Sequence, residues 1–345
     1  MTTNDLDPLP SNRTTSAFER RVARIFADIA RPGPVVVAAS GGADSTATLI
    51  AVTRALGPDL VTAAHFDHRL RSPAETTQDF EAVRGLAARL GVLLAVGRPS
   101  RRPSDRSEAA ARTARYRWLA RACTSAGASS CLTGHTLDDQ AETVLLRLAR
   151  GAGALGAAGM RPVAPWPVEA RGAAPLQVVR PLLGVTRADV EGYLDALGVS
   201  ASKDATNDTL DYARNRVRHE LMPALREVNA RAVEHLAEFA ANQRADDEVL
   251  TALAVEWLQE HARYTRSEVI MDRRRLRALP IALASRVIRE AAGGLGVRLE
   301  GAHVRAVLES LEKSGRSVDL PLAHSLTSGS LLELRSQPSP TQGRD

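Results

Sequence analysis

The chain has 345 residues, 44% hydrophobic and 25% charged, enough to bury a sizeable core and to form two domains or three. It has no run of about 18 apolar residues, and residues 1–14 lack the apolar centre of a signal peptide, so no membrane partner and a cytoplasmic location are expected. The net charge is +5 and its excess lies in residues 1–220, with 28 basic against 23 acidic residues, which permits a polyanionic partner without requiring one.

In chain order, Phe18, Val22, Ile25, Phe26 and Ile29 fall at helical spacing and predict a helix over 15–30. The run VVVAA at 35–39 reads as a buried parallel strand, followed by a helix over 44–56. Strands are expected at 60–66, 92–96 and 130–134, and helices at 74–91, 107–127 and 137–151. This alternation predicts an α/β fold with a doubly wound parallel sheet, whose ligands sit beyond the carboxyl ends of the strands. Residues 151–177, rich in Gly, Ala and Pro, read as a loop; 178–183 reads as a strand and 186–198 as a helix capped by Thr186. Long helices are expected from 212 to 310, a hairpin at 318–334 and a disordered tail at 335–345. The expected division is a flexible 1–14, an α/β domain at 15–222 and a smaller, mainly helical domain at 223–334. Cys123 and Cys131 form no CxxC, which argues against a zinc or iron–sulfur site and reads as two reduced structural thiols.

The segment SGGADS at 40–45 stops the first strand dead. It fits neither GxGxxG nor a Walker loop. Adjacent glycines let a backbone approach a ligand closely, and the next helix offers free N–H groups to an anion. In TGHTLDDQAET (133–143), Asp139 and Glu142 lie three apart on one helical face at another strand end. Two carboxylates there suit Mg²⁺ on phosphates or a cationic amine. Gly134 permits close approach, and His135 offers a hydrogen-bonding group. HFDHRLR (65–71) leaves the second strand; its histidines flanking Asp67 suit a metal less well than an adenine and ribose pocket. EAAARTARY (108–116) places Arg112, Arg115 and Tyr116 together, either as a solvated basic face or as charge stabilisation at a phosphate.

Ser-Gly-Gly-x-Asp-Ser after an apolar strand resembles the PP-loop of ATP pyrophosphatases. With HFDHRLR, EAAARTARY, TGHTLDDQAET, LARGAGALGAAGM (148–160), RPLL (180–183), DATND (204–208) and YARNRVRHELMPAL (212–225), the chain resembles the tRNA(Ile)-lysidine synthetases over about 33–225. Arg69 and Ala205 depart from the family pattern without removing an obvious chemical group. The resemblance implies joining free L-lysine to the wobble cytidine of a tRNA(Ile) with a CAU anticodon, with ATP as co-substrate and Mg²⁺. It implies that Ala39, Ser40, Gly41, Gly42, Ala43, Asp44, Ser45, His65, Asp67, Arg112, Arg115, Gly134 and His135 bind ATP. Asp44 and Asp139 would place Mg²⁺, and Arg115 would stabilise the α-phosphate. Asp139 and Glu142 would bind the lysine, and Arg150, Arg214, Arg216 and Arg218 the tRNA. The competing classes are an amide-forming PP-loop ligase and a tRNA thiolation enzyme, whose usual cysteines this chain lacks. A homodimer is left open.

Overall fold

A computed structural model describes residues 9–29, 33–67, 73–99, 108–168, 175–202, 212–312, 315–321, 323–328 and 330–336. The chain divides into two compact units, Met1–Leu146 with Gly159–Glu238, and Arg147–Ala158 with Phe239–Asp345.

The first unit begins with α1 (Arg13–Ile29), which buries Phe18, Val22 and Phe26 at four-residue spacing. Asn12 and Thr15 exchange hydrogen bonds of 2.9 and 3.0 Å at its start. There follow β1 (Val35–Ala38), α2 (Ala43–Leu56), β2 (Val61–Phe66), α3 (Pro73–Leu90), β3 (Leu93–Gly97), α4 (Glu108–Ser125), β4 (Ser130–Leu132) and α5 (Leu137–Ala149). After α6 (Ala154–Ala157) come β5 (Val163–Pro165), β6 (Gln177–Val179) and α7 (Arg187–Leu197). α8 (Tyr212–Arg216) runs through one π-helical turn, Val217–Leu221, into α9 (Met222–Val228).

The six strands form one sheet in the order β3-β2-β1-β4-β6-β5, parallel except for β5 at its edge. Side chains alternate between two apolar layers. Val35, Val37, Ala63, Leu132 and Val179 face one core, and Val36, Ala64, Cys131 and Val178 the other. A sheet covered on both faces explains why its strands read as unbroken apolar runs. Strand order reverses between β1 and β4, so their carboxyl ends open on one crevice. The expected doubly wound sheet is present. The expected loop at 151–177 instead contains α6 and β5, and the strand expected over 178–183 ends at Val179. Both pieces of β-structure are three residues long, too short for a periodic signal.

The second unit holds α6, the later part of α10 (Ala232–His261), β7 (Ala262–Tyr264), β8 (Glu268–Asp272), α11 (Arg273–Arg277), α12 (Ile281–Gly294) and α13 (Gly301–Ser310). β9 (Ser317–Leu320), β10 (Ala323–Ser328) and β11 (Leu331–Ser336) follow. Its helical part agrees with the sequence. The reading of unbroken helices over 212–310 does not, because β7 and β8 interrupt them. These strands join the expected C-terminal hairpin in an antiparallel sheet ordered β7-β8-β11-β10-β9. Its core includes Trp257, Val269, Met271, Ile288, Leu332 and Leu334.

Candidate active site

The loop after β1 is built for close approach. Gly41 has φ +93°, a conformation side chains disfavour, and a Cβ there would lie 3.3 Å from the Asp79 carbonyl oxygen. Ser45 ties the loop together: the Ser40 N–H donates to its Oγ at 3.1 Å, and that Oγ donates to the Gly42 carbonyl at 3.0 Å. The loop leads into the N-terminus of α2, where the helix dipole favours an anion. Ala39 is buried behind it and Ala43 opens α2.

The end of β4 lies directly against this loop. A Cβ on Gly134 would sit 2.7 Å from the Asp44 carbonyl carbon and oxygen and 2.8 Å from the Ser45 nitrogen. Only glycine allows the two strand ends to meet. Two residues on, Thr136 caps α5: its N–H donates to Asp139 Oδ2 at 2.9 Å and its hydroxyl to the same oxygen at 3.0 Å. The capping box therefore fixes Asp139, and Glu142 projects from the next turn. Both carboxylates are buried.

Three arginines close over this pair. Arg214 donates to Asp139 Oδ1 and Glu142 Oε2, each at 3.1 Å. Arg218 donates to Glu142 at 2.7 and 3.0 Å and to Asp139 at 3.4 Å. Arg187 lies farther off, 3.5 Å from Asp139 and 3.9 Å from Glu142, and reaches Asp44 Oδ2 at 3.7 Å. Arg214 and Arg218 are four apart and share a helical face, whereas Arg216 points away, is exposed and pairs with Glu220 at 3.1 Å. Arg214 and Arg218 thus face the acids proposed for lysine; Arg216 alone of the three faces outward.

The field at the site follows from this packing. Burial, and next the charge of Asp139, push the Asp44 carboxyl up to about 7 against the pull of Arg187 and Arg218. Its Oδ1 is buried and has no hydrogen-bond partner among the described residues. Burial works against the Asp139 charge too, but His135, Arg187, Arg214 and the Thr136 N–H hold its pKa below the ordinary value. Burial drives His135 down to about 3, with Arg180, Arg214 and Arg115 adding to the effect, so its ring is neutral at pH 7. Its Nδ1 lies 2.8 Å from the Thr133 hydroxyl.

Of the remaining residues, His65 is buried at the end of β2 and its Nδ1 donates to the Ala39 carbonyl at 2.9 Å. The Asp67 N–H donates to the Gly97 carbonyl at 2.9 Å. Arg112 and Arg115 flank the Tyr116 ring at 5.0 and 5.3 Å. Arg150 is exposed in the turn after α5 and belongs to the second unit. His68, Arg69 and DATND at 204–208 lie outside the described residues. The sequence reading missed Arg187, Asp138 and Arg226. Asp138 accepts the Arg187 N–H at 2.8 Å and pairs with Arg226 at 2.6 Å. A signal for Arg187 existed: it sits in the first turn of a helix, the end the dipole makes unfavourable for a cation.

Residues 14–225 match the model of a PP-loop domain. The chain is 37% identical over 313 residues to the tRNA(Ile)-lysidine synthase of Gloeobacter violaceus, covering 89% of this chain and 92% of that protein. The chain belongs to the tRNA(Ile)-lysidine synthase family. The synthase of Salinispora arenicola is 42% identical over 243 residues, covering 68% of this chain and 69% of its own. That of Symbiobacterium thermophilum is 37% identical, but the chain spans only 62% of its length. Among solved structures, a U34-tRNA thiolase from Methanococcus maripaludis superposes with a TM-score of 0.54 at 13% identity, over 66% of this chain and 79% of its own, a likeness of fold. No helix among the described residues is long and apolar enough to cross a membrane.

Proposed function

We propose that the protein joins free lysine to the wobble cytidine of tRNA(Ile) with a CAU anticodon, through an adenylated cytosine, releasing pyrophosphate and AMP. The observation that carries this reading is the meeting of two segments: Gly134, just before α5, packs against Asp44 and Ser45, and Arg187 spans from Asp44 to Asp139 and Glu142 at 3.7, 3.5 and 3.9 Å. One crevice then serves both halves of the reaction. The cytosine O2 attacks the α-phosphorus and the bond to pyrophosphate breaks. The lysine amine next attacks C2, and the C2–O bond breaks as AMP leaves.

Ser40, Gly41, Gly42 and Ser45 hold the leaving pyrophosphate, and Arg115 faces the α-phosphate. Among the described residues, no group of three or more His, Cys, Asp or Glu is arranged to hold a metal. Asp44 nonetheless fits Mg²⁺, which binds through one or two carboxylates together with substrate phosphates; the unpartnered Oδ1 supplies the lone pair. Asp139 fits less well, since both its oxygens are engaged. Bound there, Mg²⁺ would neutralise charge on the departing pyrophosphate.

Asp139 and Glu142 receive the amine. A bare acid pair would raise the amine's pKa and oppose attack. Here three guanidinium groups already offset two carboxylates, so the amine is held without favouring its charged form. The cytidine leaves the anticodon stack to reach the crevice.

The deciding experiment incubates enzyme, ATP, Mg²⁺ and the CAU transcript with lysine omitted. Pyrophosphate release should require the transcript and its wobble cytidine. Equal release with a wobble uridine, or release without RNA as an amide-forming ligase would give, overturns the reading.

A further inference from the structure

We propose that Arg187 is a catalytic residue of this reaction, contacting the α-phosphate while pyrophosphate leaves and again while AMP leaves. The inference rests on the lysidine-forming reading. Arg187 reaches Asp44 at 3.7 Å on the phosphate-loop side, and Asp139 at 3.5 Å and Glu142 at 3.9 Å on the amine side. It therefore stands between the group that holds pyrophosphate and the group that holds the amine. The α-phosphorus is bonded to pyrophosphate in ATP and to the base oxygen in the adenylate, so it must occupy that same interval.

The contacts of Arg187 differ in kind from those of its neighbours. Arg214 and Arg218 make hydrogen bonds as short as 3.1 and 2.7 Å to the acid pair. Arg187 approaches three carboxylates without closing tightly on any, and its side chain keeps 29% of its surface exposed. A guanidinium so placed can exchange carboxylates for phosphate oxygens with little rearrangement. Its backbone adds to the same field. The residue opens α7, whose first-turn N–H groups carry the positive end of the dipole, and Asp138 fixes it there through its N–H at 2.8 Å. A cation on the positive end of a helix is costly unless anions are nearby, and the three acids supply them until substrate arrives. When ATP binds, before any amine enters, its phosphate oxygens take up the guanidinium N–H groups that point between Asp44 and the acid pair, and Arg187 stays close enough to offset the carboxylates. Negative charge gathers on the non-bridging oxygens as the oxygen of cytosine adds and pyrophosphate departs, and Arg187 donates N–H groups to them.

The test uses Arg187→Gln and Arg187→Lys in the full chain. Single-turnover pyrophosphate release is followed with ATP, Mg²⁺ and the CAU transcript, lysine omitted, across ATP concentrations. Gln should lower the maximal rate on the order of 10²–10³-fold, the range for losing one preorganised donor. The ATP concentration at half-saturation and the melting temperature should hardly move, and Lys, which keeps the charge, should restore most of the rate. An unchanged maximal rate, a loss confined to half-saturation, or a fall in melting temperature shared by both variants overturns the proposal. If the parent itself releases no transcript-dependent pyrophosphate, the lysidine reading fails first and takes this proposal with it. A parent that works beside an equally fast Gln variant sinks this proposal alone.

Discussion

At the scale of single residues, the site depends on one missing side chain and two displaced titrations. Gly134→Ala would push a methyl group into the Asp44 and Ser45 backbone at 2.7–2.8 Å, where no side chain can swing aside. We expect a destabilisation of about 1–3 kcal/mol and loss of ATP binding, read by thermal unfolding and nucleotide titration. Asp44 and His135 act on stability with opposite signs. The raised Asp44 pKa means the folded state keeps a proton the unfolded chain has released, so this contribution is present below pH 4 and is lost by about 7. The lowered His135 pKa means the unfolded chain takes up a proton the folded state refuses, so stability rises from about pH 3 to 6.5. Asp44→Asn should therefore melt higher than the parent at pH 8 and lose that advantage at pH 4. An advantage independent of pH would count against the burial argument. Arg216 is the residue of its cluster that faces solvent, and Arg216→Ala should lower the salt slope of tRNA binding by roughly one unit if it meets a phosphate. Arg214→Ala and Arg218→Ala should instead damage the lysine step, since each leaves a buried carboxylate short of a partner.

At the scale of elements, short caps and one widened turn aim the reacting groups. Thr186 accepts the Asp189 N–H at 3.1 Å, and Asp189 reaches back to the Thr186 N–H at 3.3 Å. Thr186→Ala should cost about 1 kcal/mol and, by loosening the turn that carries Arg187, slow adenylation more than it weakens ATP binding. A fall in stability without a change in adenylation would separate the cap from the chemistry. The parallel strands were legible because a sheet covered on both faces needs continuous apolar runs, as in VVVA at β1. β5, β7 and β8 were not legible: three residues ending in proline, three following a 30-residue helix, and five of partial alternation give no period to read. The loop and acid pair stood out because each is a contiguous motif beside its strand. Arg187 stood out locally only as a cation in the first turn of a helix; which anions it meets is set by tertiary packing, with Asp139 48 residues away in sequence. The inward turn of Arg214 and Arg218 was half visible, since a four-residue spacing already separates them from Arg216.

At the scale of the whole molecule, the two compact units have separate cores. The second unit contains a buried ion pair, Asp247 with Arg286, exposed by only 1% and 8%. Asp247→Ala would strand the guanidinium inside and should destabilise by roughly 3–5 kcal/mol, while ATP binding, which belongs to the first unit, is retained at low temperature. Loss of ATP binding in step with unfolding would mean that the units melt as one. The first unit's sheet also hides both thiols. Cys123 and Cys131 are free and fully buried in the same apolar layer, and a hydrogen bond between them, with burial, pushes the Cys131 thiol pKa up. The folded protein is therefore silent to maleimides and to mild oxidants at the surface. Arg216→Cys, at an exposed position, would take up a fluorophore alone, without removing either native thiol, and a change in its emission on adding the transcript would test optically whether this face meets RNA. Slow labelling of the native pair would in turn clock the opening of the sheet itself.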